Sequence, residues 1–456
     1  MDFAESNQYL FSLGNEVSAM KMGLRNIRTL LAALGNPQNN YLKVQVAGTN
    51  GKGSVCAFLD AICVSAGVKT GIYTSPHLIS ITERIRINGH DIPEKDFARY
   101  STIVRETAEK LVADGELESI PTFFEQLTAI ALIAFAEANV ELAILETGLG
   151  GRLDATTATN AEIAAITRID IDHQEYLGET LAEIAAEKAA IISTGSIVVV
   201  ANQKADAMTV ISERCAAVGV CPILASGIRA IQKGGNTRGS ECVIDSAVSE
   251  YGGGKTAFAP IGFPASLSVN FVTLSSRYEN VTLGLNGRHQ IENAKVAILV
   301  AETLQDKFPI TSEHIVEGLQ SARHPGRLEF SDRYLFDGAH NAAGAKSLRD
   351  FLDESVTGRI TLVFGAMKGK DIGQIALMLF PKADKVILTR PENSRAMSAD
   401  EIMPFVPNGI DAKQISLTDT VEQALLKANE LTFENGIILV TGSLYLIGEA
   451  KKILNN

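Results

Sequence analysis

Where a short apolar run meets glycines, a lysine and a hydroxyl, a chain can hold phosphate, and Val44-Gln45-Val46-Ala47-Gly48-Thr49-Asn50-Gly51-Lys52-Gly53-Ser54 has that build. Glycines let successive backbone N–H groups turn toward an anion, a lysine ammonium offsets phosphate charge, and a serine hydroxyl can reach a bound Mg²⁺. The common phosphate-loop pattern places Ser or Thr directly after the lysine, whereas here Gly53 separates Lys52 from Ser54. An ordinary surface turn is therefore the competing reading. The sequence that follows weighs against it: Val55, Phe58, Leu59, Ile62 and Cys63 recur at helical spacing, and Gly67 can cap the helix. Strand, loop and helix come in the order that phosphate binding requires, which points to a nucleoside triphosphate.

Three further residues lie where such a ligand would need them. The apolar run Leu142–Leu145 delivers Glu146 into the glycine turn Thr147-Gly148-Leu149-Gly150-Gly151-Arg152-Leu153-Asp154-Ala155-Thr156. A carboxylate at a buried strand tip beside a phosphate loop suits a nucleotide-bound Mg²⁺, which takes hard oxygen ligands; a solvated strand-end glutamate is the alternative. His173 follows Asp170-Ile171-Asp172 at what should be the same sheet edge. Mg²⁺ prefers oxygen, so a surface or hydrogen-bonding role competes there. Lys188 stands in a helical pattern, where composition alone reads an exposed helix lysine.

The elements that must position these residues alternate. Lys69–Tyr73, Leu142–Leu145, Ile163–Ile166 and Ile197–Val200 read as strands, with helices over Phe123–Ala138 and Thr180–Ile192. This is an α/β pattern implying a mainly parallel sheet whose ligands gather at the carboxyl ends of the strands. From about Ser226 to Leu285 the pattern changes to Gly, Ser and Thr clusters with alternating runs such as Ser266–Leu274, an antiparallel β excursion. It holds a decoy, Gly252-Gly253-Gly254-Lys255-Thr256, which lacks a strand before and a helix after and reads as a hairpin tip. At Ser321-Ala322-Arg323-His324-Pro325-Gly326-Arg327 the helical pattern breaks, setting domains at 1–322 and 323–456. Strands Tyr334–Phe336, Ile360–Phe364, Lys385–Leu388 and Ile437–Val440 then alternate with helices over 342–353, 371–380 and 420–431, a smaller Rossmann-like α/β domain.

Bulk composition excludes other classes. With 456 residues and 46% hydrophobic composition the chain is long enough for two cores. A net charge of −12 argues against nucleic acid or an anionic membrane, both of which need clustered Lys and Arg. Five cysteines without a Cys-x-x-Cys pair fit free thiols in a reducing cytosol, and no apolar stretch is long enough to span a bilayer. The expectation is a soluble, cytoplasmic protein.

In order along nearly the whole chain, the motifs resemble those of the folylpolyglutamate synthases and dihydrofolate synthases of the Mur ligase superfamily. The set comprises Gly48 to Ser54, Thr74-Ser75-Pro76-His77-Leu78, Thr82-Glu83-Arg84-Ile85-Arg86, Phe123-Phe124-Glu125, Glu146 to Thr156, Asp172-His173, Glu187-Lys188, Pro325-Gly326-Arg327 and Asp337-Gly338-Ala339-His340-Asn341. The inserted Gly53 is what this family carries. The resemblance implies an N-terminal ATP-binding domain of the Mur-ligase central type and a C-terminal ligase domain. It also implies an ATP-dependent carboxylate–amine ligase that adds L-glutamate to dihydropteroate, tetrahydrofolate or both through an acyl phosphate, working as a monomer.

The resemblance further implies residue roles. ATP phosphates would lie on Asn50, Gly51, Lys52, Gly53 and Ser54, while Ser75, Glu146 and His173 would hold Mg²⁺. Asn293, Arg327 and Asp337 would contact the nucleotide; Thr122, Phe123, Phe124 and Glu125, with Arg152, Leu153, Asp154 and Ala155, would receive the pterin. His340 would serve the glutamate side. Lys188 would be carbamylated by CO₂, which exchanges an ammonium for an anion able to organise Mg²⁺ and its waters. The chain departs from the family at Ala190 (usually glycine), Gln174 (commonly threonine) and Thr157 (usually asparagine), none of them a proposed ligand. A cell-wall Mur ligase and a nucleotide-dependent switch are the competing functions.

Overall fold

The structure, a computed structural model, describes residues 1–14, 23–233, 241–244 and 268–455. It contains two compact units. One comprises the described residues of Met1–Arg229 with Phe271–Val281 and Glu292–Ala322; the other comprises those of Ala230–Asn270 with Thr282–Ile291 and Arg323–Asn456.

The first unit is built on an eight-stranded sheet. Its order is His90–Asp91, Ile85–Ile87, Thr70–Tyr73, Leu142–Glu146, Leu42–Ala47, Ile163–Ile166, Ile197–Val200 and Pro222–Leu224. The last six are parallel, and a short antiparallel pair closes the other edge. The chain leaves strand Leu42–Ala47 for Thr70–Tyr73, skipping one position, then fills the gap with Leu142–Glu146 and continues on the opposite side with Ile163–Ile166. Strand order therefore reverses around Leu42–Ala47, and the crevice at the carboxyl end of such a strand is the ligand position of open α/β sheets. Gly48 is the residue placed there.

Helix Lys52–Ser65 follows, with Val55, Phe58, Leu59, Ile62 and Cys63 all wholly buried, as the spacing predicts. Gly67 ends it in left-handed backbone at φ +74°. Helix Ser312–Ser321 approaches it so closely that a Cβ on Gly318 would overlap the Ile62 backbone. Gly318→Ala must separate the two helices, and an expected loss of about 1–3 kcal/mol, the usual cost of overpacking, is read from denaturant unfolding.

Several elements lie outside the alternation read from the sequence: helices Phe3–Ser12, Arg25–Ala33 and Glu94–Ala113, and the hairpin Ile85–Ile87 with His90–Asp91. Over the β excursion, a four-stranded sheet runs in the order Glu241–Ile244, Arg229–Lys233, Ser268–Val272 and Arg277–Thr282, its first two strands antiparallel. The decoy at 252–256 lies outside the described residues.

The second unit has a six-stranded sheet in the order Glu329–Ser331, Tyr334–Asp337, Ile437–Thr441, Ile360–Phe364, Lys385–Leu388 and Ile415–Leu417. The first pair is antiparallel and the rest parallel. Helices Ala342–Ser355, Ile372–Leu379 and Val421–Leu431 are among those that connect the strands, and Leu348, Leu352, Leu362, Phe364, Ile375 and Leu388 belong to the core between the layers. No described helix is long and apolar enough to cross a membrane.

Candidate active site

Gly48 leaves its strand so close to its neighbour that a Cβ would overlap the buried Thr167 hydroxyl. Gly51 turns into the helix at φ +92°, where a Cβ would overlap the carboxamide of Asn293. The loop between them is pinned from one side: the N–H groups of Thr49 and Asn50 donate to the Arg168 carbonyl at 2.9 and 3.2 Å. Thr49 Oγ1 donates to Asp170 O at 2.9 Å and accepts the Asp170 N–H at 3.1 Å. No side chain caps the helix at Gly51, so the first-turn N–H groups of Lys52, Gly53 and Ser54 have no intrahelical acceptor and present the positive end of the helix dipole. Lys52 Nζ folds back on this loop, donating to Gly48 O and Thr49 O at 3.1 and 3.4 Å. Small residues, uncapped donors and a local cation fit a polyphosphate.

Lys188 is where local pattern misleads. Composition alone reads it as exposed, yet it is 4% exposed in the last turn of helix Leu181–Ala189. The glycine turn packs on the end of that helix, where a Cβ on Gly151 would sit 2.7 Å from Glu187 O and 3.0 Å from Lys188 O. Lys188 Nζ donates to Gly48 O at 2.9 Å, the same carbonyl that accepts from Lys52. Burial, then the nearby charge of Lys52, pulls Lys188 down to about 7 from 10.5, against the opposing pull of Asp172, Asp154 and Glu187. A neutral amine is thereby available near neutral pH.

Glu146 ends strand Leu142–Glu146, is buried, and accepts the Ser75 N–H on Oε2 at 3.2 Å. Ser75 follows the adjacent strand Thr70–Tyr73 and precedes a cis bond to Pro76. His173 lies beyond strand Ile163–Ile166 in left-handed backbone at φ +52°, with its N–H on Asp172 Oδ1 at 2.9 Å and its side chain 29% exposed. All three stand at or beyond carboxyl ends of strands in one sheet, and Ser75 and Glu146 touch. Among the described residues no three His, Cys, Asp or Glu side chains form a metal cluster. One carboxylate with a hydroxyl and an imidazole is a sparse set, of the kind that suits a Mg²⁺ completed by water and phosphate oxygens.

The residues expected at the pterin divide into two groups. Thr122 and Glu125 form a capping box for helix Phe123–Glu137: Thr122 Oγ1 accepts the Glu125 N–H at 3.3 Å, and Glu125 Oε2 accepts the Thr122 N–H at 2.9 Å. Phe123 and Phe124 are buried, and Phe124 packs on Gly148, where a Cβ would lie 2.6 Å from its ring. Asp154 is buried with both oxygens occupied inside its own turn. Oδ2 accepts from Gly148 and Leu149 N–H at 2.8 and 3.1 Å, and Oδ1 accepts from Thr156 N–H and Oγ1 at 3.0 and 2.5 Å. Its carboxylate shapes the glycine turn, and Ala155, also buried, opens the short helix that follows. Arg152 pairs with Glu187 at 2.8 Å and is exposed, with Leu153 next to it half-buried.

In the second unit Asp337 ends its strand buried, accepting the N–H groups of Leu328 and Ala339, each at 3.0 Å. Burial raises its carboxyl against the pull of Arg327. His340 Nδ1 lies 2.8 Å from Gly338 O, one residue before the Asn341 that caps helix Ala342–Ser355.

One cluster carries no role from sequence reasoning. Arg84, 2% exposed, donates from Nε to His77 Nδ1 at 2.7 Å and lies 5.5 Å from the centre of the Phe123 ring, on which Phe11 stacks at 5.6 Å. Burial and the Arg84 charge hold His77 down at about 3, keeping the imidazole neutral. Arg84 stands among Thr82, Glu83 and Arg86 as well as Ile81, Ile85 and Ile87, so no local pattern marks it as buried.

Two family models match: the Mur ligase middle domain over residues 46–301, and the Mur ligase, glutamate ligase domain over residues 326–444. A probable bifunctional folylpolyglutamate synthase/dihydropteroate synthase of Halobacterium salinarum is 33% identical over 94% of this chain and 49% of its own length. The chain thus spans about half the length of that relative. The dihydrofolate synthase/folylpolyglutamate synthase of Bacillus subtilis is 33% identical over 95% of both chains. The folylpolyglutamate synthase of Mycobacterium tuberculosis, solved with ADP and AMPPCP, superposes with a TM-score of 0.85 at 28% identity, covering 100% of this chain and 99% of that one. With matches across both units and over its whole length, the chain belongs to the folylpolyglutamate synthase and dihydrofolate synthase family of Mur ligases.

Proposed function

We propose that this chain is an ATP-dependent carboxylate–amine ligase that joins L-glutamate to the carboxylate of dihydropteroate, of a reduced folate, or of both. The observation that carries this reading is the convergence of Lys52 and Lys188 on the Gly48 carbonyl of an uncapped glycine loop. A loop that only held a nucleotide would need one lysine; a second, buried and shifted toward neutrality, supports chemistry on the phosphate.

A carboxylate resists amines because it is a poor electrophile with no leaving group. In the proposed reaction its oxygen attacks the γ-phosphorus of ATP in line, ADP leaves, and an acyl phosphate results. The glutamate amine attacks the acyl carbon, phosphate departs, and the amine loses a proton. The N–H groups at Gly51 to Ser54 and the Lys52 ammonium stabilise charge on the transferring phosphoryl group. Mg²⁺, held by Ser75, Glu146 and His173, would neutralise phosphate charge in the same place. The neutral Lys188 amine adds CO₂ and releases a proton, becoming an anionic carbamate. Asn293 packs on Gly51, which supports a role toward the nucleotide; the roles of Arg327 and Asp337 toward the nucleotide and of His340 toward glutamate rest on the family's motifs. The free thiols of Cys56, Cys63, Cys215 and Cys221 suit the reducing cytosol.

The test is ADP release by purified protein with each substrate withheld in turn. Turnover requiring a pteroate or folate together with L-glutamate supports the ligase; ADP release indifferent to both would show a nucleotide-dependent switch instead. Comparing dihydropteroate with tetrahydrofolate in the same assay separates the two activities.

A further inference from the structure

The helix that carries Asn293, His289–Leu304, holds in its second turn a buried charge whose purpose the reaction does not explain. Lys295 is 2% exposed and donates from Nζ to Glu292 Oε1 at 2.8 Å. The other oxygen of Glu292 accepts from Asn202 Nδ2 at 2.6 Å. Asn202 stands just after strand Ile197–Val200, and its neighbour Gln203 donates to Thr167 O at 2.9 Å and accepts the Ile169 N–H at 3.0 Å. Those two backbone groups flank Arg168, whose carbonyl holds the Thr49 and Asn50 N–H groups. One strand end therefore grips both sides of the phosphate loop: Gln203 through residues 167–169, and Asn202 through Glu292 to the helix that lays Asn293 on Gly51.

From this geometry we infer that Asn202, with the Glu292–Lys295 pair, is a positioning device that fixes the Asn293 carboxamide over Gly51 for the nucleotide. Burying Lys295 is costly unless its partner is itself held, and Asn202 supplies the hold. A hydrogen bond to a charged carboxylate is strong enough to set the position of one helical turn. Among the described residues the Asn202 side chain hydrogen-bonds Glu292 and not the loop, so it acts through its neighbours. The inference rests on the proposed nucleotide site but not on the identity of the other substrates.

The experiment is ADP titration by calorimetry of the full chain, wild type against Asn202→Ala, Asn293→Ala and the double variant, with thermal unfolding alongside. Wild-type binding of ADP tests the nucleotide reading by itself. For the positioning role, Asn202→Ala should weaken ADP by about fivefold or more, and adding it to Asn293→Ala should cost little further, since residues acting as one unit are non-additive. Lys295→Met with Glu292→Gln, which removes both charges of the pair together, should weaken ADP in the same way while remaining folded. An Asn202→Ala affinity within about twofold of wild type, or a loss fully additive with Asn293→Ala, would overturn the inference, the second outcome being that of an independent structural contact.

Discussion

Lys188→Ala is expected to lower turnover by about a thousandfold or more, the scale seen when a charged group acting at a transferring centre is removed. The native site pays for this lysine. Its Nζ is enclosed, donates to Gly48 O, and is held down to about 7. The unfolded chain's lysine titrates near 10.5, so between about pH 7 and 10.5 the unfolded chain binds a proton that the folded chain lacks. Stability must then rise with pH across that window, with the cost of Lys188 fully present below about 7. Lys188→Met should flatten this slope while leaving the protein folded. The same neutral amine is what reacts with CO₂, so wild-type activity at limiting CO₂ should climb as pH passes 7. Intact mass under CO₂ should show about 44 Da on a labile site that the variant lacks. Full activity in Lys188→Ala would remove the residue from the mechanism.

Glu146→Gln is expected to cost about a hundredfold or more, and to do so without unfolding the protein. Glutamine keeps an acceptor for the Ser75 N–H and the shape of a side chain buried at the strand end. What it loses is the negative charge, the only carboxylate in the set with Ser75 and His173. Its half-saturating Mg²⁺ concentration should rise, while unfolding temperature stays within a few degrees. Unchanged metal titration would leave Glu146 as a support for Ser75 and nothing more.

These expectations separate what sequence can reveal from what it cannot. The phosphate loop was legible because its parts are consecutive: an apolar strand, glycines that need special backbone at Gly51, and a helix whose buried face follows its spacing. Glu146 was legible for the same reason, as the last residue of a buried run. The burial of Lys188 was not, since what surrounds it is far away in sequence: its Nζ donates to Gly48 O, and Gly151 packs on the end of its helix. Asp154 reads equally well as a ligand or as a turn-former until its four hydrogen bonds are seen. Asn202 and Gln203 are polar residues after a strand, with nothing local to mark them. The helix Glu94–Ala113 is amphipathic with polar residues interleaved, and it becomes evident only once Phe97, Val104, Ala108 and Leu111 are seen buried on one side.

The central claim is that phosphate is moved to an oxygen of the carboxylate that becomes the amide. Supplying the pteroate substrate with ¹⁸O in its carboxylate and recovering the inorganic phosphate tests this directly. An acyl phosphate route transfers one carboxylate oxygen to phosphate for every amide formed, so the phosphate should carry a single ¹⁸O in step with product. Amide formation accompanied by unlabelled phosphate would contradict the account.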